Sequence, residues 1–397
     1  MKNVRRIYTK SLANLIFLNS YYKLAGQNEY RKYILEPSKC KRNSFIAFIA
    51  AVMMTVLYPI VLFIQTIKTQ KQRKKNHKSI KEFKKILFID ANPSNGLKLL
   101  RKAKIDEKDI TWITKCHLDK IDEEQQVSIF ELLSLKDIVL SYFDSLFAYY
   151  NSLIRYGLVV SFLGINTLEW FLYYRALISI PPNNILLSCH QIDPVALLID
   201  NISHQKKILL QHGTVIFKHN THNLPSEILT KDKDYDIWVY NMPIKLQNLD
   251  VMYAFSEEEY IGYKLSMCKC NPESVIVGYG IKTTKLNMTG FTVLIIGYFK
   301  GYGDREEKVI GMLNEAQVNV LIKNHPMQDV SAYNKLKAVY NFEILNMPVF
   351  PVVDLVISYE STLALEYASI GINVIYYDDI DWENFSNYIQ DLKMQTQ

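Results

Sequence analysis

Four short clusters carry residue types that move protons or hold anions. They are Gln211-His212-Gly213-Thr214, the loop Gly297–Gly303, Lys323-Asn324-His325-Pro326, and Ser358-Tyr359-Glu360-Ser361-Thr362. Each follows a short apolar run with the character of a buried strand: Lys207–Leu210, Phe291–Ile296, Val318–Ile322 and Asp354–Ile357. In open parallel sheets, ligands sit outside the carboxyl ends of the strands. One reactive cluster at such an end is a weak signal, and four at the same kind of position make a pattern.

The chemistry each cluster could perform follows from its residues. An imidazole titrates near ~6.5, which suits His212 to taking a proton from an acceptor hydroxyl at neutral pH. His190 and Asp193, at the end of the neighbouring strand, and Thr214 are candidates for the acceptor side. Ser361-Thr362 opens a helix whose free N–H groups and positive dipole would hold phosphate. Glu366, one turn further on, could hold a ribose or sugar hydroxyl, and Ser358 ends the preceding strand. Lys323 or His325 could neutralise charge on a departing phosphate. The Gly297–Gly303 loop would let backbone approach a bound group closely, and Lys300 and Arg305 add charge there. That loop is not Gly-x-Gly-x-x-Gly, so it gives no dinucleotide fingerprint.

Each cluster also has a plain structural reading. Ser361 is a good N-cap with or without a ligand. His212 could merely hydrogen-bond its turn, and His325 could sit in an ordinary surface loop. Ser256-Glu-Glu-Glu259 fits Ser-x-x-Glu, so a capping box opening a helix over Glu257–Leu265 is the better reading there. None of the four clusters holds an Asp-x-Asp, so no metal and no cofactor are called for; helix dipole and basic side chains would do that work.

The elements that must position these residues alternate between strand and helix. Strands are expected at Ile86–Asp90, Thr111–Thr114, Ile185–Ser188 and Lys207–Leu210, with aromatic helical sequence over 130–180. A second series begins near residue 275 with Ser274–Val277, continues with Phe291–Ile296 as the first buried strand of a new sheet, and runs to Tyr376. This predicts an α/β protein of two doubly wound, Rossmann-type domains facing a cleft. The expected division is 1–85, 86–275 for the acceptor domain and 276–397 for the donor domain.

Residues 44–67 hold 24 positions without a charge. At about 1.5 Å per residue, a helix of that length can cross a hydrocarbon layer of about 30 Å. Lys-rich sequence follows where small residues would mark cleavage, so it is not a good signal peptide. The denser basic cluster lies downstream, which by the positive-inside rule leaves the body in the cytoplasm. Pro59 could kink the helix or turn a re-entrant hairpin, and a buried helix of a soluble domain stays open. Residues 1–43 carry apolar stretches among lysines and suit an interfacial helix.

The chain has 397 residues and a net charge of +6, but the charge is partitioned. Residues 1–85 hold 19 Lys/Arg and three acids, a net of +16; the rest carries 27 Lys/Arg against 37 Asp/Glu, a net of −10. An acidic body argues against nucleic acid as a partner, and a basic segment suits anionic membrane lipid. The five cysteines are scattered and fit reduced thiols in the cytosol.

The order His-Gly-Thr, then Lys-x-His-Pro, then Asp-x-x-x-Ser-x-x-Ser-Thr-x-x-x-Glu resembles GT-B glycosyltransferases of bacterial surface polysaccharide synthesis. It also resembles the related CDP-glycerol glycerophosphotransferases of teichoic acid synthesis. The layout covers residues 86–385, though about 25 residues carry the motifs. The resemblance implies a GT-B-like fold and a sugar moved from a nucleotide-activated donor to a polysaccharide or lipid-linked acceptor. It implies that Ser361 and Thr362 contact donor phosphate, Glu366 holds the donor, His325 assists the leaving group and His212 is the acceptor base. Val215-Ile-Phe-Lys218 stands where the teichoic acid enzymes usually show Pro-Leu-Lys, and Tyr359-Glu360 interrupts their Ser-Ser run. Those departures favour sugar transfer over polyol-phosphate transfer. A non-catalytic assembly protein with a GT-B body is the remaining alternative.

Overall fold

The structure is a computed structural model. It describes residues 2–24, 44–76, 83–89, 93–115, 118, 121–157, 166–191, 194–202, 205–218, 225–297, 303–324, 331–345, 349–359 and 361–396. His325, Lys300 and Asp193 lie outside the described residues.

The first sheet is parallel throughout. Its strands are β1 (Ile86–Ile89), β2 (Ile110–Thr114), β3 (Gln126–Ser128), β4 (Ile185–Ser188), β5 (Lys206–Leu210), β9 (Val251–Ala254) and β10 (Glu273–Ile276), in the order β10-β9-β5-β4-β1-β2-β3. The chain runs outward from β1 on one side and returns to β4 on the other, so β1 and β4 flank the switch point where ligands bind in such sheets. A three-stranded antiparallel sheet is inserted after β5: β6 (Ile216–Phe217), β7 (Leu229–Asp232) and β8 (Ile237–Tyr240).

The second sheet is also parallel, in the order β13-β12-β11-β14-β15. It comprises β11 (Thr292–Ile296), β12 (Asn319–Lys323), β13 (Glu343–Ile344), β14 (Leu355–Ser358) and β15 (Asn373–Tyr376). Runs such as Thr292–Ile296 are buried along their whole length, as expected for parallel strands covered on both faces. The protein is thus α/β with two parallel sheets, as the alternation of strands and helices predicts.

Side chains alternate across each sheet, so each strand feeds two cores. Leu87 and Ile89 of β1 face one cluster, with Ile113, Val127 and Leu186; Phe88 faces another, with Trp112, Leu187 and Leu210. The helix α3 (Pro93–Ala103) covers the second cluster. Gly96 lets it sit close, because a Cβ there would fall 2.6 Å from the Trp112 ring and 2.7 Å from Phe88.

The other face is covered by α1 (Lys2–Leu24), α2 (Ser44–Asn76), α4 (Leu135–Tyr156) and α5 (Thr167–Ile178). A capping box between Ser134 and Asp137 starts α4. Helices α6 (Pro194–Asp200), α7 (Glu257–Met267), α8 (Gly303–Glu315), α9 (Ser331–Leu336) and α10 (Thr362–Ser369) follow along the chain. The N-terminal helices are built into this layer. Tyr8 and Leu12 of α1 and Tyr58 and Leu62 of α2 are buried in the same core as the strands. Tyr58 stacks on Tyr149 with ring centroids 3.6 Å apart. Arg5 meets Asp144 at 2.7 Å, and Arg175 of α5 meets its other oxygen at 2.5 Å, so one buried carboxylate joins α1, α4 and α5.

Candidate active site

At the carboxyl edge of the first sheet, β4 runs into Cys189-His190 and β5 into Gln211-His212-Gly213-Thr214. The Ser188 hydroxyl accepts a hydrogen bond from the His190 N–H at 2.9 Å, turning the chain away from the sheet. His212 is exposed, and its Nδ1 lies 2.7 Å from the Cys189 carbonyl oxygen. A carbonyl can only accept, so Nδ1 carries the proton and Nε2 carries the lone pair. That tautomer is the one a general base needs.

Gln211 fixes the loop that holds this histidine. Its Oε1 accepts from the Phe255 N–H at 2.7 Å, and its Nε2 donates to the Gly213 carbonyl at 2.9 Å and to Glu259 at 2.8 Å. The Tyr263 hydroxyl donates to the same Gly213 carbonyl at 3.3 Å. Thr214 closes the turn on itself: its hydroxyl bonds the Ile216 carbonyl at 3.2 Å and N–H at 3.3 Å. The acceptor-side candidate Thr214 is therefore part of the loop's frame.

Glu259 departs from the sequence reading. It belongs to α7 (Glu257–Met267), and the Ser256 hydroxyl does accept from its N–H at 3.1 Å. The second half of a capping box is replaced by an inward turn of the carboxylate. It accepts from Gln211 at 2.8 Å, from the Val215 N–H at 3.5 Å and from the Tyr279 hydroxyl at 3.2 Å. Burial raises its pKa to about 7, against the opposing pull of those hydrogen bonds. Gly262, one turn on, lets α7 approach β6: a Cβ there would lie 2.0 Å from Cγ2 of Ile216.

At the carboxyl edge of the second sheet, Ser358 ends β14 and Ser361 caps α10 (Thr362–Ser369). The two hydroxyls are 3.2 Å apart, and Ser361 Oγ accepts from the Ala364 N–H at 3.2 Å. Thr362 is the first residue of the helix and half-buried beside them. Gly297 follows β11 and donates its N–H to the Lys323 carbonyl at 2.9 Å. Lys323 itself is buried. Its Nζ donates to the Val349 carbonyl at 2.8 Å and lies 4.7 Å from the centre of the Phe350 ring. Burial pushes its pKa down, so the structure gives Lys323 a loop-holding contact in place of an open anion site.

Glu366 joins the two edges. Its Oε1 lies 2.5 Å from Nζ of Lys102 and 3.2 Å from Nζ of Lys98, both on α3 of the first unit. Lys102 Nζ also sits 4.7 Å from the centre of the Phe255 ring. Two further contacts cross here. Lys218, just after the His-Gly-Thr turn, lies 5.3 Å over the Tyr376 ring, and the Ser369 hydroxyl donates at 3.5 Å to the carbonyl of Tyr279, whose ring packs in the core of the first sheet and not with the second as the expected boundary at 275 would have it. His212 thus lies at the carboxyl edge of the first sheet and Ser361–Thr362 at that of the second, while Glu366, in the helix that follows, ties the two units together through Lys102 and Lys98. Sequence reading missed Lys98 and Lys102. They are i and i+4 on one face of α3, directly after the switch-point strand, which is the signal that would have found them.

No family model matches the chain, and no curated protein matches it. Several solved structures are distantly similar to it. MurG of Acinetobacter baumannii is 12% identical over 78% of this chain and 90% of its own, with a TM-score of 0.34. The wall teichoic acid polymerase TagF, in an H444N form soaked with CDPG, is 11% identical over 88% of this chain and 84% of its own, with a TM-score of 0.38. CalG4, the calicheamicin glycosyltransferase, is 12% identical over 78% of this chain and 89% of its own, with a TM-score of 0.38. Superpositions that loose assign no residue a role.

Proposed function

We propose that the protein is a GT-B glycosyltransferase that needs no metal ion and moves a sugar from a nucleotide-activated donor to a surface polysaccharide or glycolipid. The observation that carries this reading is the His212 tautomer: Nδ1 is committed to the Cys189 carbonyl, which puts the lone pair of the neutral ring on Nε2. The acceptor hydroxyl would attack the anomeric carbon and pass its proton to Nε2 of His212. The bond from that carbon to the nucleotide's phosphate oxygen breaks, and the negative charge falls on the N-terminus of α10, where Ser361 and Thr362 sit. Glu366 holds a donor hydroxyl, with Lys102 and Lys98 fixing its other oxygen. His325 assists the leaving group in this reading. The body works at the cytoplasmic face of the inner membrane.

Transfer of a polyol phosphate from a CDP-polyol uses the same edges with a phosphorus centre in place of the anomeric carbon. Melting curves with UDP-, GDP-, CDP- and TDP-linked sugars and with CDP-glycerol separate the two, since a ligand bound only by the folded state must raise the midpoint. A nucleotide sugar that stabilises the protein and is then consumed supports the first reading; stabilisation and turnover with CDP-polyols alone supports the second. Full polysaccharide synthesis in cells carrying a folded His212→Asn protein would leave only the non-catalytic assembly role.

A further inference from the structure

We infer that α2 and α4 together form one membrane-docking face that lies in the plane of an anionic bilayer, with neither helix crossing it. This deepens the localisation given above and does not depend on the transferase chemistry.

The stretch Val52–Lys74 is long and apolar enough to cross a membrane. Its surroundings argue for a different placement. One stripe of α2 is committed to protein: Tyr58 and Leu62 are fully buried, Thr66 and Thr69 nearly so, and Arg73 donates to the Leu133 carbonyl at 2.7 Å. The Tyr150 hydroxyl donates to the Thr55 carbonyl at 3.1 Å. Arg73 thus meets the start of α4 and Thr55 its end, so the two helices run antiparallel, side by side. A helix that crossed the bilayer would have to leave these partners, taking Tyr58 out of its stack on Tyr149.

The opposite stripe of α2 is apolar and exposed. Met53, Val56, Ile60, Phe63, Ile64 and Ile67 recur at helical spacing along it. α4 continues this surface with Leu135, Val139, Phe143, Phe147 and Ile154, again on one stripe. Val56 is 67% exposed and Ile154 85%, which is unusual for side chains of this kind in a contiguous patch. Two neighbouring helices, each with an exposed apolar stripe, therefore present more contiguous apolar surface than scattered surface residues would give.

Charge decides the occupant. From Ser44 to Asn76, α2 holds no acidic residue. Lys68, Lys71 and Lys74 are exposed at its end, and Lys136 is exposed beside them at the start of α4. With Arg155 exposed at the far end of α4, basic side chains flank the apolar face at both ends, which matches anionic headgroups beside acyl chains. A second copy of this chain would bring identical basic flanks against it, and like charges would oppose that pairing.

Flotation of the full chain with vesicles tests this. Binding is expected to vesicles holding phosphatidylglycerol and to be more than tenfold weaker to pure phosphatidylcholine. Ile60→Ser with Phe63→Ser, and separately Val139→Ser with Phe143→Ser, should each cut binding more than tenfold while leaving the melting midpoint nearly unchanged. Loss from the α2 pair alone would overturn the two-helix face. Tryptophan placed by Val56→Trp or Ile67→Trp should be quenched to the same extent by shallow brominated lipids, because both ends of an in-plane helix lie at one depth. Quenching of one by deep and the other by shallow bromines would show a crossing helix and sink the proposal. So would a soluble dimer that the same serine substitutions convert to monomer without any flotation of the parent chain.

Discussion

Lys102 of the first unit places its ammonium 2.5 Å from Glu366 of the second, with side-chain exposures of 11% and 3%. This near-buried ion pair joins the helix after the switch-point strand to the helix that follows the candidate phosphate-binding turn. Breaking a fully buried pair by removing one partner costs about 3–5 kcal/mol, because the other charge is left desolvated. Here Lys98 remains 3.2 Å from the same oxygen but is half exposed. Lys102→Met is therefore expected to cost less, roughly 1–3 kcal/mol in denaturant unfolding. The donor's KM should rise by about tenfold with kcat little changed, since Glu366 would lose its fixed orientation. A double-mutant cycle with Glu366→Leu should give a coupling energy above about 0.5 kcal/mol; additive effects would mean the contact is incidental.

His212→Asn separates base chemistry from loop geometry. The asparagine amide reaches the Cys189 carbonyl as a donor, replacing the Nδ1 bond of 2.7 Å, but it offers no basic nitrogen. Activity should fall by about 10²–10⁴, the usual worth of a general base, with an unchanged melting midpoint. His212→Ala should lose the same activity and also loosen the loop. An asparagine variant that retained near-parent rates would remove His212 from the mechanism.

Glu259 sets a pH dependence of stability whose sign is fixed. Its carboxyl titrates near 4.5 when solvated and near 7 in the folded protein, raised by burial. Between those values the folded state holds the proton more often than the unfolded one. Stability therefore falls as pH rises through that window, by up to about 3 kcal/mol. Glu259→Gln should remove this decline, so the difference between the two proteins isolates it from other groups. Urea midpoints at pH 5, 6, 7 and 8 measure it, and parallel curves would show that the carboxyl is already charged at pH 5.

Much of this was legible in the sequence. Strands β11 and β14 are short apolar runs closed by turn residues, and such runs have little other use. The clusters at their ends follow from the parallel topology. Glu259 was not legible, because Ser-x-x-Glu fits a capping box equally well and only the buried Gln211 shows where the carboxylate turns. The small sheet of β6–β8 was missed because a two-residue strand such as Ile216–Phe217 and a polar one such as Leu229–Asp232 carry no period. The run at 44–67 was ambiguous for a physical reason. An α2 apolar on both sides satisfies the length rule for a membrane helix while giving one of those sides to Tyr149 and α4.

Gly262 tests how tightly α7 must sit on the loop. A Cβ there would come 2.0 Å from Cγ2 of Ile216, well inside contact distance. Gly262→Ala should destabilise by about 1–3 kcal/mol, as overpacking does. Adding Ile216→Ala removes the colliding atom and should restore most of the loss. If the second change worsens stability by its full independent cost, the close approach is not what limits the site.

The N-terminal helices give the last prediction. If residues 1–76 only tethered a finished body, removing them would yield a stable soluble protein. The structure argues otherwise. Their loss strips Tyr8, Leu12, Tyr58 and Leu62 from the first core and exposes the apolar side chains they cover. Each fully buried side chain of that size contributes about 1.5–3 kcal/mol, so four of them approach the whole stability of an ordinary domain. Asp144 would also lose Arg5 and keep only Arg175. The truncated chain is therefore expected to be insoluble or to lack a cooperative melting transition. Arg5→Ala, which keeps all four core side chains, should still melt cooperatively but at a lower midpoint, by about 1–3 kcal/mol of stability. A truncated protein that melted as cooperatively as the full chain would show that α1 and α2 are separable from the sheet they cover.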